Sequence, residues 1–461
     1  MAIAPALKPS AQAAPKTETI NTRFIIVISM VAALGGLLFG FDTAIISGTI
    51  PYITPYFGLD GYSLGWAVSS ILIGCATGAM AAGLFADKYG RRVTLIACAL
   101  LFALSGLGAG LVSNFTFFVL FRLIGGLGVG AAAMISPMYI AETTPASLRG
   151  RLVALYQLAI VLGILLAYFS NYFFESFGEN NWRYMFISQL IPSFLFLVAL
   201  LFVPETPRWL VKKGLKGEAL VILTKISGSV AADAEIEEIE NTFKCEKDSG
   251  LKILFSKTYR PVLFIGVLIA VFQQVTGINS ILYYAPVIFK ETGLSNTSSL
   301  LQTIGIGVVN VVSTFIAIGL VDKVGRKKFL LIGSLLMGLS LVAISLCFHF
   351  RYFDNYVVLG LMVIYVGTFG CTLGAVTWVY LSEIFPNRVR GIAMSVATLA
   401  LWLADFIVTY TFPVMTRQLG TSNTLFCYAA FCLIAFIYVI FRVPETKGRS
   451  LEEIESIFIK K

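Results

Sequence analysis

Asp87-Lys-Tyr-Gly-Arg-Arg92 returns 235 residues later as Asp322-Lys-Val-Gly-Arg-Lys327. Each copy sits between two long apolar stretches. Two further repeats keep nearly the same offset. Met138-Tyr-Ile-Ala-Glu142 with Leu148-Arg-Gly150 returns 241 residues on as Val379-Tyr-Leu-Ser-Glu383 with Val389-Arg-Gly391. Pro204-Glu-Thr206 returns 240 residues on as Pro444-Glu-Thr446. Three matches at nearly one spacing divide the chain into two halves that repeat in parallel.

The apolar stretches around these repeats decide what the halves are made of. Of 461 residues, 57% are hydrophobic and only 13% charged, far too little charge to cover a soluble protein of this length. The apolar residues come in blocks of roughly 20, the length that crosses about 30 Å of hydrocarbon at about 1.5 Å per residue. The expected spans are 24–50, 64–86, 93–113, 115–140, 151–173, 184–203, 261–288, 298–321, 328–350, 357–382, 391–415 and 421–442. This is an all-α membrane protein, with 12 transmembrane helices in two six-helix bundles. The expected organisation is a tail over 1–23, a bundle over 24–203, a polar linker over 204–260, a second bundle over 261–442 and a tail over 443–461. Apolar residues at helical spacing in Asp233-Ala-Glu-Ile-Glu-Glu-Ile-Glu-Asn241 predict short surface helices in the linker. The first apolar block is too long for a signal peptide and no small-residue cleavage pattern follows it, so it reads as a retained span.

The net charge of +9 is explained by where it falls. With both termini in the cytoplasm, only Arg183, Lys290, Arg351 and Arg417 lie on the far side and Arg122 inside a span, leaving 29 of the 34 Lys and Arg on the cytoplasmic side. That asymmetry orients a multi-pass protein of the cell membrane and makes nucleic acid unnecessary as a partner. The seven cysteines (Cys75, Cys98, Cys245, Cys347, Cys371, Cys427 and Cys432) show no metal-ligand spacing and no disulfide framework. The single His349 ends an apolar block and reads as an interfacial residue. No metal or cofactor is expected. Gly125-Gly-Leu-Gly-Val-Gly130 looks like a phosphate loop, but it lies inside a membrane helix with no strand before it, so it predicts close helix packing. With neither a nucleophile–base pair nor a metal cluster in view, the chain does not read as an enzyme.

Charges inside the membrane are costly and are functional by default. Asp42, in Gly40-Phe-Asp-Thr43, and Arg122, in Leu120-Phe-Arg-Leu123, are natural partners. Desolvation favours the neutral form of a carboxyl, whereas a neighbouring guanidinium favours its carboxylate. A motion that separates such a pair therefore converts a group that releases a proton into one that takes it up. A static structural pair is the alternative. Asp405, in Leu401-Trp-Leu-Ala-Asp-Phe406, is a third acid in an apolar run. It reads either as a second titrating group or, as favoured here, as a polar group hydrogen-bonded against a neighbouring helix. Gln273, Gln274 and Asn279 put amides into the seventh span, and amides both donate and accept without charge. Six residues at about 100° each put Gln273 and Asn279 about 120° apart around a helix, and a break at Gly277 would bring them closer.

These motifs resemble the sugar porter family of the major facilitator superfamily, in particular its bacterial proton symporters for xylose, galactose and arabinose. The resemblance is carried by Gly83-Leu-Phe-Ala-Asp-Lys-Tyr-Gly-Arg-Arg92, Pro204-Glu-Thr-Pro-Arg208, Gln273-Gln-Val-Thr-Gly-Ile-Asn279 and Pro444-Glu-Thr-Lys-Gly-Arg449, and it covers the chain beyond about the first 20 residues. It implies a major-facilitator-type fold and a transporter that imports a monosaccharide with a proton by alternating access, acting as a monomer. Asp42 and Arg122 match its proton-coupling positions. Gln157, Gln273, Gln274, Asn279, Asn310 and Trp378 match sugar-contacting positions, and Phe369, Tyr283, Tyr284 and Trp402 match aromatics that line or gate the cavity. It also implies a cytoplasmic gate. There Asp87, Arg91, Glu142 and Arg149 match Asp322, Arg326, Glu383 and Arg390, joined by Arg92, Glu205, Arg208 and Glu445.

Several positions depart from the family. Ile318 stands where the N-terminal motif has Gly83, and Asp405 where many members have Asn. Leu401 replaces an Asn or Gln that reaches the sugar, and Ile164 replaces a Gln of the xylose-transporting members. The last two changes remove hydrogen-bonding capacity, so the xylose preference does not carry over. The Leu-Trp pairing also occurs in inositol-transporting members, which adds cyclitols to the candidate solutes. A proton-independent uniporter remains the rival to symport. A sugar sensor fits less well, because the tail after Pro444 is under 20 residues.

Overall fold

The computed structural model describes residues 20–245, 251–386, 389–447 and 453–454. The described residues form helices and no strand. The first half comprises α1 (Thr22–Phe57), α2 (Gly61–Tyr89), α3 (Arg91–Leu111), α4 (Phe115–Glu142), α5 (Ala146–Phe174), α6 (Asn181–Ile187) and α7 (Leu190–Leu201). Four short helices follow: α8 (Pro207–Lys212), α9 (Lys216–Ser227), α10 (Ser229–Cys245) and α11 (Leu251–Leu254). The second half comprises α12 (Arg260–Val275), α13 (Ile278–Glu291), α14 (Asn296–Val324), α15 (Arg326–His349), α16 (Asn355–Cys371), α17 (Leu373–Ile384) and α18 (Arg390–Arg442).

These elements make twelve crossings in two bundles of six. The pairs α6/α7, α12/α13 and α16/α17 each form one crossing. At about 1.5 Å per residue, the 53 residues of α18 would run about 80 Å, so it must cross twice. The break lies at Gly420, whose φ of 82° and ψ of 158° are not helical. Three expected spans therefore contain interruptions that hydropathy does not register: 184–203 at Ser188 and Gln189, 261–288 at Thr276 and Gly277, and 357–382 at Thr372. Most helices also run past their expected ends, α1 as far as Phe57, because hydropathy marks the hydrocarbon and not the end of the backbone ladder.

Within the first half, α2 packs on α4, α1 on α5 and α3 on α4; within the second, α15 packs on α18, α14 on α16 and α12 on α18. The glycine-rich stretch of α4 makes one of the tightest of these seams. A Cβ on Gly126 would lie 2.0 Å from the Ile71 carbonyl oxygen, and one on Gly130 would lie 1.9 Å from that of Cys75. Bare backbones touch there, as expected where small residues replace side chains between membrane helices. The halves meet through α1 against α13, α2 against α18 and α5 against α14.

Candidate functional site

The deepest charged group joins α1 to α4. Arg122 Nη1 donates to Asp42 Oδ1 at 2.8 Å and to the Asp42 carbonyl oxygen at 3.0 Å. Both residues are fully buried. Gly125, one turn beyond Arg122, leaves room for the acid, since a Cβ there would meet Asp42 Oδ2 at 2.6 Å and Ser105 Oγ at 2.4 Å. The guanidinium lies over the Phe186 ring, 5.7 Å from its centroid. The pair is incompletely satisfied: Asp42 Oδ2, Arg122 Nε and Arg122 Nη2 are buried without hydrogen-bond partners. Gln189, which sequence reasoning passed over, lies beside the same carboxyl and donates to the Phe102 carbonyl at 3.2 Å. Its only sequence signal is an amide inside an apolar span.

The second constellation belongs to the other half. Gly277 adopts a φ of 90° between α12 and α13, a backbone conformation that favours glycine. The resulting break folds Asn279 back onto Gln274, with Asn279 Nδ2 donating to Gln274 Oε1 at 2.9 Å. Gln274 Nε2 donates to Gln273 Oε1 at 3.4 Å, and Gln273 Nε2 donates to the carbonyls of Leu373 and Gly374 at 3.1 and 3.3 Å. Asn279 also donates to Asp405 Oδ2 at 2.7 Å, and Thr409 Oγ1 donates to Asp405 Oδ1 at 3.1 Å. Asp405 is thus hydrogen-bonded against α13, the arrangement favoured for it above.

The remaining expected site residues lie on helices of both halves. Gln157 on α5, Phe369 on α16 and Trp378 on α17 are half-buried; Asn310 on α14 and Tyr283 on α13 are buried. Trp402 on α18 packs against Phe39 of α1, ring centroids 5.7 Å apart, and its indole N–H is buried without a partner. Tyr284 sits further along. Its hydroxyl donates to the Thr409 carbonyl at 3.3 Å, its ring stacks on Phe412 at 4.8 Å, and it lines a cavity of about 330 Å³ with Pro51, Pro55, Glu291 and Arg417.

At the end carrying α8–α11, the repeated motifs build two matching clusters. In the first half, Arg91 Nη2 donates to Glu142 Oε1 at 2.9 Å and Nη1 to Asp87 Oδ1 at 3.4 Å. In the second, Arg326 Nη2 lies 2.8 Å from Glu383 Oε1. Thr206 Oγ1 donates to Glu142 at 2.7 Å, and Thr446 Oγ1 to Glu383 at 2.6 Å. Both ion pairs stay inside their own half. Glu205 accepts from the backbone N–H groups of Arg91 and Arg92 at 2.9 and 3.0 Å, and Glu445 from those of Arg326 and Lys327 at 2.9 and 3.2 Å. These two carboxylates cap the N-termini of α3 and α15, a role the charge pattern alone did not reveal. Burial pushes the Glu205 carboxyl above its ordinary value, against the opposing pull of the N–H groups it accepts from.

Arg92 donates to the carbonyls of Leu200 and Leu201 at 2.9 and 2.8 Å. Arg149 donates to the Thr144 carbonyl at 3.5 Å and Arg390 to that of Phe385 at 3.1 Å. Arg208 is half-buried at the start of α8. The Asp322 side chain and most of both tails lie outside the described residues. At the opposite end, hydrogen bonds cross between the halves. Tyr168 Oη donates to the Leu282 carbonyl at 3.0 Å, Arg417 to that of Leu59 at 3.4 Å, and Gln418 to Tyr62 Oη at 3.2 Å. Sequence reasoning missed this contact set, for Arg417 had entered it only as a topogenic charge.

Two repeated six-helix bundles, meeting along helices that carry a buried ion pair on one side and clustered amides on the other, define a multi-pass membrane transporter of major facilitator type. Residues 28–458 match the model of the family described as sugar (and other) transporter. The chain is 40% identical to the arabinose-proton symporter of Bacillus subtilis (strain 168), over 97% of each chain. It is likewise 40% identical to the D-xylose-proton symporter of Escherichia coli (strain K12), covering 95% of this chain and 96% of the other. The structure aligns with the inward open conformation of the xylose transporter XylE from E. coli at a TM-score of 0.85, over 94% of this chain and all of the other, at 40% identity. The chain belongs to the sugar (and other) transporter family.

Proposed function

We propose that this protein is a secondary active transporter that imports a monosaccharide together with a proton by alternating access, as a monomer with both termini in the cytoplasm. The observation that carries the reading is the buried, incompletely satisfied Asp42–Arg122 pair, set on the helix that touches the amide-bearing half. Asp42 Oδ2 can take a proton while Oδ1 still faces the guanidinium. Protonation removes the charge that draws α1 to α4. Because α1 packs on α13 and Phe39, three residues before Asp42, packs on Trp402, a shift of α1 is felt where the solute sits. The amide chain, with the ring faces of Trp402 and Trp378, suits a polyhydroxylated ring with an apolar face. The names of the proton symporters above support sugar and proton as the coupled pair. The distribution of Lys and Arg supports the end with α8–α11 as cytoplasmic, and the cross-half bonds at the other end support an inward-facing arrangement.

The coupling is energetically sufficient. One charge moving through 100 mV provides about 2.3 kcal/mol. At about 1.4 kcal/mol per tenfold, that sustains roughly 50-fold accumulation. The test is uptake by purified protein in liposomes of labelled xylose, glucose, galactose, arabinose and myo-inositol, with and without an inward proton gradient. Accumulation of one monosaccharide above equilibrium only with the gradient is the expected result. Equilibration regardless of the gradient would identify a uniporter, and accumulation of inositol alone would replace the monosaccharide with a cyclitol.

A further inference from the structure

Asp405 is the one acid in an apolar run that this proton route leaves unused. It is 1% exposed, and its partners define a direction along the whole amide chain. An amide nitrogen has two hydrogens. Asn279 Nδ2 sends one to Gln274 Oε1 and the other to Asp405 Oδ2, at 2.9 and 2.7 Å. Gln273 Nε2 likewise uses both of its hydrogens on the carbonyls of Leu373 and Gly374. The chain therefore ends at both sides in groups that only accept: backbone carbonyls at one end and a carboxylate at the other. Turning Asn279 over would set its oxygen against two acceptor oxygens, so Asp405 and Gln274 Oε1 together hold the amide one way round. The half-buried Asn279 is left with its Oδ1, an acceptor, to offer.

We propose that Asp405 is a positioning residue that fixes Asn279 with its oxygen toward the solute, so that the site demands a hydroxyl donor at one ring position. The proposal rests on the sugar-transport reading above. Helices α12, α13, α17 and α18 all belong to the second half, so this polarity travels with that half through the transport cycle.

A deoxyfluoro series of the transported sugar tests it, because fluorine in place of a hydroxyl still accepts weakly but cannot donate. KM is measured by competition in counterflow for wild type, D405N and D405L. Wild type loses roughly ten-fold in apparent affinity for fluorine at one ring position, the worth of a buried hydrogen bond left unmade. In D405L one of the two acceptors holding the Asn279 amide is gone and only Gln274 Oε1 still opposes its turning. The amide can then present N–H to fluorine, and the loss at that position shrinks to about two-fold while other positions keep theirs. D405N keeps the wild-type pattern, since its amide oxygen accepts from Asn279 and its N–H₂ faces Thr409. Should D405L not elute as a folded species, D405V carries the same prediction. Unchanged discrimination in the apolar variant, or a uniform rise in KM for every analogue, overturns the assignment of Asp405 alone. If wild type shows no counterflow of any sugar, the transport reading falls and this proposal with it.

Discussion

The two halves match at their ends and diverge in their middles. Glu205, capping α3, and Glu445, capping α15, accept from corresponding backbone N–H groups at distances within a few tenths of an ångström. Arg91–Glu142 and Arg326–Glu383 are likewise counterparts. Between those ends the likeness stops. The first half carries a buried ion pair and the second carries uncharged amides closed off by Asp405. Duplicated parts are those any rocking pair of bundles needs: rigid helix ends and anchored turns. Parts present once are chemically specialised, and on the function proposed above the proton belongs mainly to one half and the solute mainly to the other.

The harshest way to break the comparison is steric. The first half depends on backbone contact at Gly126, whereas nothing lies within 4 Å of a Cβ built on Gly305 in the second. G126V is expected to yield no monodisperse protein on size-exclusion chromatography. G305A should fold and gain up to about 1 kcal/mol in thermal stability, because alanine is the better helix former. A folded G126V would mean that the α2–α4 seam is looser than the 2.0 Å approach of a Gly126 Cβ to the Ile71 carbonyl requires.

A smaller effect divides the solute between the halves. Q274A removes an amide that both donates and accepts within the second half, and it should raise the solute KM about ten-fold while the accumulation ratio is retained. Q157A, in the first half, should raise KM only about two- to three-fold. Radiolabelled uptake at several solute concentrations separates the two, and equal effects would remove the division of labour.

The smallest effect tests the likeness itself. E205Q and E445Q should each cost about 1 kcal/mol in thermal unfolding, the worth of a helix cap, and the two losses should agree. They should differ in pH dependence only as their surroundings do. Burial holds the folded Glu205 carboxyl above its ordinary 4.5, so its proton is bound more tightly folded than unfolded. That contribution is fully present below the ordinary carboxylate range and declines as pH rises through the raised value. The stability gap between wild type and E205Q should therefore narrow from acid to neutral pH in a detergent thermal-shift series.

The twelve crossings, the parallel halves and the partnership of Asp42 with Arg122 were legible because they rest on block length, repeat spacing and the scarcity of charge in hydrocarbon. The break at Gly277 was legible too, since a glycine inside a run of amides is a local signal. What escaped depends on how helices rotate against one another. Nothing near Glu205 in the sequence points to the start of α3 more than a hundred residues away. Asp405 and Asn279 are separated by 126 residues, and only the packing of α13 on α18 makes them partners. The interruption at Ser188 and Gln189 lies in an apolar run whose hydropathy does not change across it.

If Asp42 links proton to solute, sugar entry moves protons without any imposed gradient. Sugar is added outside de-energised liposomes containing a trapped pH dye, for wild type and D42N at matched sugar uptake. Sugar entry should acidify the lumen in wild type, while D42N should admit sugar with no change of pH. Sugar entry without acidification in wild type, or acidification that persists in D42N, would contradict that link.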